Sequence, residues 1–356
     1  MIQQIPEPST PSSQSFFMPA EWEQHSSTWL AWPHNVDTWK PNDLREVENI
    51  YIKIICSLVT GEHINILIEN ESSQNRLSSL LIASGLNAKK IHFHKILTND
   101  AWIRDFGPNY IVRESSTGRQ IAINRWKFNS WGDKYDWGKD NEAGEKIARE
   151  SKLTWFDPKI VLEGGAIDVN GKGTCLTTSS CLLNTNRNGG LSAEKMEKYL
   201  QNYLGIKKIV WLDGALKGDD TDGHIDNLAR FVNPSTIVYI SEEDESDENY
   251  LSLKRIEETL KKARDLDGKP FVVIPLPMPR AIKDNNFRLP ASYANFYIGN
   301  NAVLVPAFND SNDVIAQRTL KTCFPHKKIV LIDSRILIKG QGGIHCITQQ
   351  QPMHSD

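Results

Sequence analysis

The sequence predicts a mixed α/β protein built from about five repeats of one unit, two strands, a helix and a third strand, set as blades around an axis. Two observations carry this. A beat of amphipathic helix, break and short apolar strand recurs along the chain with no linker between repeats. Short strands that pair as hairpins, such as 121–125 and 166–169, interrupt the beat. A doubly wound parallel sheet explains the beat but not the hairpins, so blades are the better expectation.

Taken in order, residues 1–15 are rich in Pro, Ser and Gln and are expected to form a disordered tail. Residues 16–356 are expected to form a single domain, because composition nowhere shifts as a boundary requires. Thr28-Trp29-Leu30-Ala31-Trp32 reads as a first buried strand. Asn42-Asp43 is placed to cap a helix running to about Val59, with Leu44, Val47, Ile50, Ile54 and Leu58 near helical spacing. A break at Gly61 precedes a strand at 63–68. Helix 72–84 and strand 90–94 repeat the beat. It continues with helices 140–151, 191–203, 247–266 and 312–322, followed by strands 153–156, 207–211, 271–274 and 328–332. Strand pairs are expected between 166–169 and 174–177, and between 227–232 and 236–240. The acidic run 242–248 reads as a solvated loop leading into a helix.

Composition closes off several classes of function. With 39% apolar and 24% charged residues, the 356-residue chain has the make-up of a globular protein. A net charge of −3 offers no footprint for nucleic acid or an anionic membrane. Five widely spaced cysteines with no CxxC pair suggest reduced thiols and a cytoplasmic location. No run approaches the roughly 20 apolar residues of a membrane span, and the N-terminus lacks a signal pattern. Neither a P-loop nor a strand-to-helix GxGxxG is present, which argues against nucleotide chemistry.

Four stretches carry the chemistry. Gly340-Gln341-Gly342-Gly343 delivers His345-Cys346 straight after a turn in which glycines permit φ > 0 or close approach to a ligand. Polar company makes Cys346 a candidate nucleophile, whereas Cys56, Cys175, Cys181 and Cys323 have blander settings suited to packing. His224-Ile225-Asp226 would place an imidazole and a carboxylate on one face if 225–232 is a strand. Asp219, Asp220 and Asp222 lie just before it and suit the rim of a cation site. Glu163-Gly164-Gly165 ends an apolar strand with a carboxylate that can project into a cavity. Trp102-Ile103-Arg104-Asp105 offers an aromatic face and a carboxylate to a planar cation. His92 and His94, two apart on one strand, could share a metal, but no third ligand lies at a suggestive spacing.

In this order the four stretches resemble the agmatine deiminase family of guanidine-modifying enzymes. Met18-Pro19-Ala20-Glu21-Trp22-Glu23, residues 126–131 and 176–187, and His345-Cys346-Ile347-Thr348-Gln349-Gln350 extend the match over most of the chain. The resemblance implies a pentein fold, a five-bladed α/β propeller of ββαβ units around a central active-site cavity. It implies Cys346 as nucleophile, with Asp105 and Asp226 holding the guanidinium nitrogens. His224 would be the acid and base, and Glu163 would orient it. Trp102 and Gly343 would adjoin the substrate, and Asp220 the distal amine. The implied reaction hydrolyses agmatine to N-carbamoylputrescine and ammonia with no cofactor or metal, and the implied assembly is a homo-oligomer. Gly343 and Gln341 depart from the family's usual glycine run. The alternatives left open are a deiminase of free or peptidyl arginine, a non-catalytic polyamine- or protein-binding scaffold, and a metal hydrolase using His92 and His94.

Overall fold

Five separate sheets repeat one pattern in a computed structural model that describes residues 10–86 and 88–355. In each, an antiparallel pair is extended by a strand parallel to its second member. The first sheet pairs Gln349–Pro352 with His25–Ala31, then adds His63–Ile68 and Ile91–Lys95 in parallel. The second holds Asn109–Ser115, Gly118–Asn124 and Thr154–Phe156. The third holds Ile167–Val169, Thr174–Thr178 and Lys208–Leu212. Ala229–Asn233, Thr236–Ser241 and Val272–Pro277 form the fourth. Tyr297–Ile298, Ala302–Ala307 and Lys328–Asp333 form the fifth. Parallel neighbours need a crossover. Pro41–Leu58 and Glu71–Ala83 supply the two of the first sheet, and Gly138–Glu150, Ala193–Leu204, Tyr250–Lys262 and Asn312–Cys323 supply one for each of the others. All five sheets are open, and among the described residues none closes on itself.

The expected beat is therefore present, with informative differences at its edges. The first long helix starts at Pro41 rather than being capped by Asn42-Asp43, and Lys40 makes no side-chain cap bond. Proline at the first helical position needs no N–H partner and already has a helical φ. The crossover helix of the fourth sheet starts at Tyr250 and ends at Lys262, inside the expected 247–266. The fourth sheet begins only at Ala229, because Ile225–Asn227 is a 3-10 turn and not a strand. Of the tail expected over 1–15, residues 1–9 lie outside the described residues. Ser12–Gln14 form a 3-10 turn, with Pro11 buried, so that part is ordered.

Three buried apolar clusters fill the spaces between sheets and helices. On the helix Pro41–Leu58 the inward stripe includes Val47, Ile54, Ile55 and Leu58, all essentially inaccessible. Each such side chain contributes about 1.5–3 kcal/mol from burial. No described helix is long and apolar enough to cross a membrane. All five cysteines are free thiols.

Candidate active site

Short turns at the sheet ends, rather than strands, carry the reactive groups. Asp105 sits in the one-turn helix Ile103–Phe106, preceded by Trp102. Glu163 precedes the 3-10 turn Gly164–Ala166, and His224 precedes the turn Ile225–Asn227 that carries Asp226. Cys346 lies in a turn just before the C-terminal strand. Asp105, Glu163, His224, Asp226 and Cys346 are all buried, with at most 5% of their surface exposed. The strand argument for His224 and Asp226 thus fails, yet the 3-10 turn still brings both side chains beside Gly165.

Gly165 stands where three of them converge. A Cβ there would lie 2.6 Å from His224 Nδ1, 2.9 Å from Asp105 Oδ1 and 3.0 Å from Asp226 Oδ2. Any side chain would therefore displace the site. The Gly165 amide donates to Asp105 Oδ1 at 2.9 Å, and the Trp131 indole donates to Oδ2 at 3.0 Å. Asp226 Oδ2 accepts from His345 Nδ1 at 2.7 Å, whereas Oδ1 is buried with no partner. The thiol of Cys346 faces the same group, with Sγ 3.8 Å from Asp226 Oδ2. Asn295 Nδ2 donates to that sulfur at 3.2 Å.

The glycines before Cys346 serve close approach, not φ > 0. None of Gly340, Gly342 and Gly343 has positive φ; the left-handed position belongs to Gln341, at φ 72°. Gly342 lies against the Trp102 ring, where a Cβ would come within 2.2 Å. Gly343 lies against the Asn295 carboxamide, where a Cβ would come within 2.5 Å, and it is not part of the cavity wall.

Electrostatics set a resting state poised for a cation. Burial raises the Cys346 thiol well above its ordinary value, and the carboxylates of Asp226 and Asp105 add to the effect. Burial also lifts Asp105 to about 6, against the pull of His224. Burial opposes charge on His224, yet Asp105, Cys181 and Asp226 raise it well above an ordinary histidine. Burial opposes charge on Asp226 too, but the bond and charge of His345 bring it below the usual carboxylate range.

Glu163 is placed differently from expectation. Its Oε1 accepts from Arg187 Nε at 2.7 Å, and its Oε2 is buried with no hydrogen-bond partner. Neither ring nitrogen of His224 has a hydrogen-bond partner; Nδ1 is 3.8 Å from Asp105 Oδ1. Ligand atoms of Glu163, His224 and Cys181 lie within 4.8 Å of one another. Cys181 therefore packs against the histidine, not in remote core. Arg187 also reaches the Thr221 carbonyl at 2.8 Å and the Asp222 carboxylate, fixing the acidic turn to the site. Asp220 is on the cavity rim, where Tyr135 donates to it at 2.7 Å.

Asp105 and Cys346 line a cavity of about 600 Å³ together with Trp102, Trp131, Tyr135 and Asp220 among others, and outside that lining Asp226 lies against Cys346 and His224 against Asp105. His92 and His94 lie elsewhere and take separate partners, His63 at 2.9 Å and Asn65 at 2.9 Å. Trp131, Arg187, Asn295 and Glu21 were not singled out for roles from sequence. Trp131 and Arg187 fall inside stretches marked by the resemblance, as Glu21 does; Asn295 carried no signal in the sequence.

A buried thiol beside two carboxylates, on this repeated α/β frame, is the arrangement of a guanidine-modifying enzyme. The chain belongs to the Porphyromonas-type peptidyl-arginine deiminase family, which matches residues 17–352. It is 35% identical to the agmatine deiminase of Medicago truncatula, covering 96% of this chain and 98% of that one. It is 34% identical to the agmatine deiminase of Stutzerimonas stutzeri, with 97% of each covered. Among solved structures, the agmatine deiminase of Enterococcus faecalis superposes with a TM-score of 0.89 at 31% identity, covering 97% of this chain and 98% of that one. A cysteine-to-serine variant of the C. jejuni agmatine deiminase, with substrate bound, superposes with a TM-score of 0.83 at 34% identity, covering 94% and 96%.

Proposed function

We propose that the protein hydrolyses agmatine to N-carbamoylputrescine and ammonia, with the five sheets as blades of a propeller around the cavity. The observation that carries this is the convergence of Asp105, Asp226 and Cys346 beside a largely acidic cavity that Asp105 and Cys346 line. Its wall carries seven carboxylic side chains (Asp37, Glu69, Asp100, Asp105, Asp136, Asp140, Asp220) and two lysines, of which Lys339 pairs with Asp43. An elongated dication suits that wall. Free arginine would bring a carboxylate into it.

The guanidinium lies between Asp105 and Asp226, each accepting N–H bonds, while the Trp102 ring bounds the plane. Its arrival neutralises the two carboxylates that hold the Cys346 thiol protonated, so binding itself favours the thiolate. The thiol proton leaves to solvent, the sulfur attacks the guanidinium carbon and a C–S bond forms. The C–N bond to the departing nitrogen then breaks, and His224 supplies the proton with which ammonia leaves. His224 next takes a proton from water, which attacks the same carbon. The C–S bond breaks, returning the thiol and the ureido product. Splitting one difficult hydrolysis into two steps is the gain from a covalent intermediate. The Glu163–Arg187 pair keeps a carboxylate beside the charged imidazole. Asp220 is placed to receive the distal ammonium. The reaction as written uses no cofactor.

Ammonia and ureido product are measured from agmatine, free arginine and an arginine peptide, with EDTA present, for wild type and Cys346→Ala. Turnover of agmatine by wild type alone is expected. Citrulline formation from arginine or peptide without turnover of agmatine would retain the thiol chemistry and overturn the substrate.

A further inference from the structure

His345, the residue before the nucleophile, is enclosed between two carboxylates. Its Nδ1 lies 2.7 Å from Asp226 Oδ2 and its Nε2 lies 2.7 Å from Glu21 Oε2. The ring is 2% exposed, Glu21 is 7% exposed and Asp226 is fully buried. A carboxylate only accepts, so each ring nitrogen must donate. A neutral imidazole has one N–H and would set a bare lone pair against the other carboxylate.

Glu21 is itself held. The Ile298 amide donates to Oε1 at 2.8 Å, and Arg230 Nη2 lies 3.0 Å from the same oxygen. Arg104 Nη2 lies 3.5 Å from Oε2, and Arg104 Nε donates to the His345 carbonyl at 3.3 Å. Burial opposes charge on Glu21, but Arg230 and His345 bring it well below the usual carboxylate range. On its other side His345 donates its amide to Asn295 Oδ1 at 2.9 Å, which fixes the backbone that carries Cys346.

We propose that His345 is a positioning residue acting as a doubly protonated ring, and that Glu21, ahead of the first sheet, completes it by holding the far nitrogen. The pair fixes Asp226 so that its unpartnered Oδ1 faces the guanidinium. Neither residue touches the reacting atoms. Without the charged ring, Asp226 would face Glu21 and Asp105 with less compensation, take up a proton more readily and lose its grip on a cation.

The kinetic arm of the test rests on the proposed reaction. Glu21→Gln keeps shape and removes charge, and His345→Gln removes the ring. Each is expected to raise KM for agmatine about ten-fold or more while kcat falls less, the pattern of lost ground-state binding. General structural damage would instead lower kcat through a smaller active fraction and leave KM alone. A folded variant with KM within about two-fold of wild type, or with only kcat reduced, would overturn the proposal. If both variants fail to fold, ¹⁵N-histidine NMR on the wild type decides. His345 is expected to show two protonated ring nitrogens at neutral pH, and one bare nitrogen overturns the inference. Failure of wild type to consume agmatine would sink the proposed reaction and leave the NMR result to judge His345.

Discussion

The two sides of the candidate site are built on opposite plans. On the side of Asp226, the carboxylate, His345, Glu21, Arg230 and Asp168 form a continuous buried chain in which neighbours meet at hydrogen-bond distance. On the side of His224, among the described residues, neither ring nitrogen has a hydrogen-bond partner, Glu163 Oε2 has none, and Arg187 ties that carboxylate down. A satisfied polar network is rigid and specifies one geometry, whereas an unsatisfied buried group is costly and waits for a partner. The comparison separates holding from reacting. The chain fixes Asp226 through Oδ2 and leaves Oδ1 open; in the proposed reaction substrate is gripped at that fixed carboxylate, and protons move at the imidazole that has no hydrogen-bond partner.

Removing the sulfur breaks the reacting side most severely. Cys346→Ala is expected to show no turnover in an ammonia assay while keeping its denaturant midpoint near wild type. His224→Asn should follow, with kcat falling about a hundred- to ten-thousand-fold, the range of a lost general acid and base. Its substrate affinity, read by calorimetry on a variant that also lacks the thiol, should change far less.

Arg187→Met tests the one tie on that side. It leaves Glu163 as an uncompensated buried charge, and a destabilisation of about 3–5 kcal/mol is expected from urea unfolding. Loss of stability below about 1 kcal/mol would mean that Glu163 is compensated elsewhere.

Asp105→Asn sharpens the contrast between function and stability. Activity should vanish, because the guanidinium loses a carboxylate, yet the protein should gain up to about 3 kcal/mol at pH 7. The sign follows from the raised carboxyl. Its folded value of about 6 exceeds the ordinary 3.8, so the native state binds more protons between them. The stability from the protonated form is present in full below about 4 and lost as pH rises through about 6. Wild type should thus lose stability over that window, and Asp105→Asn should not. Over the same window kcat/KM for agmatine should climb as the carboxylate forms. Smallest of all, Tyr135→Phe removes one exposed bond to Asp220 and should change KM by about three-fold or less, read from initial rates.

The repeat was legible because it is local. Helical and strand periods, broken by Gly61 or Gly85, mark each element within a few residues, and five units result from reading them in order. Boundaries slipped where another local rule won. Pro41 opened its helix ahead of the expected cap, and Ile225–Asn227 turned instead of extending. Of the reactive groups, Cys346, His224, Asp226, Glu163 and Asp105 were chosen from short motifs, and the fold brings all five together. Of the two expected reasons for the glycines, close approach holds and φ > 0 does not, and what they approach is a ring or a carboxamide far away in sequence.

What the sequence determined alone is the repeating unit, the free thiols and which short motifs are candidates for the site, because periodicity and residue chemistry are properties of neighbours along the chain. Only the tertiary structure decided what those residues touch. Asp226 meets His345 across 119 positions, His345 meets Glu21 across 324, and Glu163 meets Arg187 across 24. A carboxylate's charge state depends on burial and on which cation stands beside it, and both are set by contacts between turns from different sheets. No spacing within a motif encodes that.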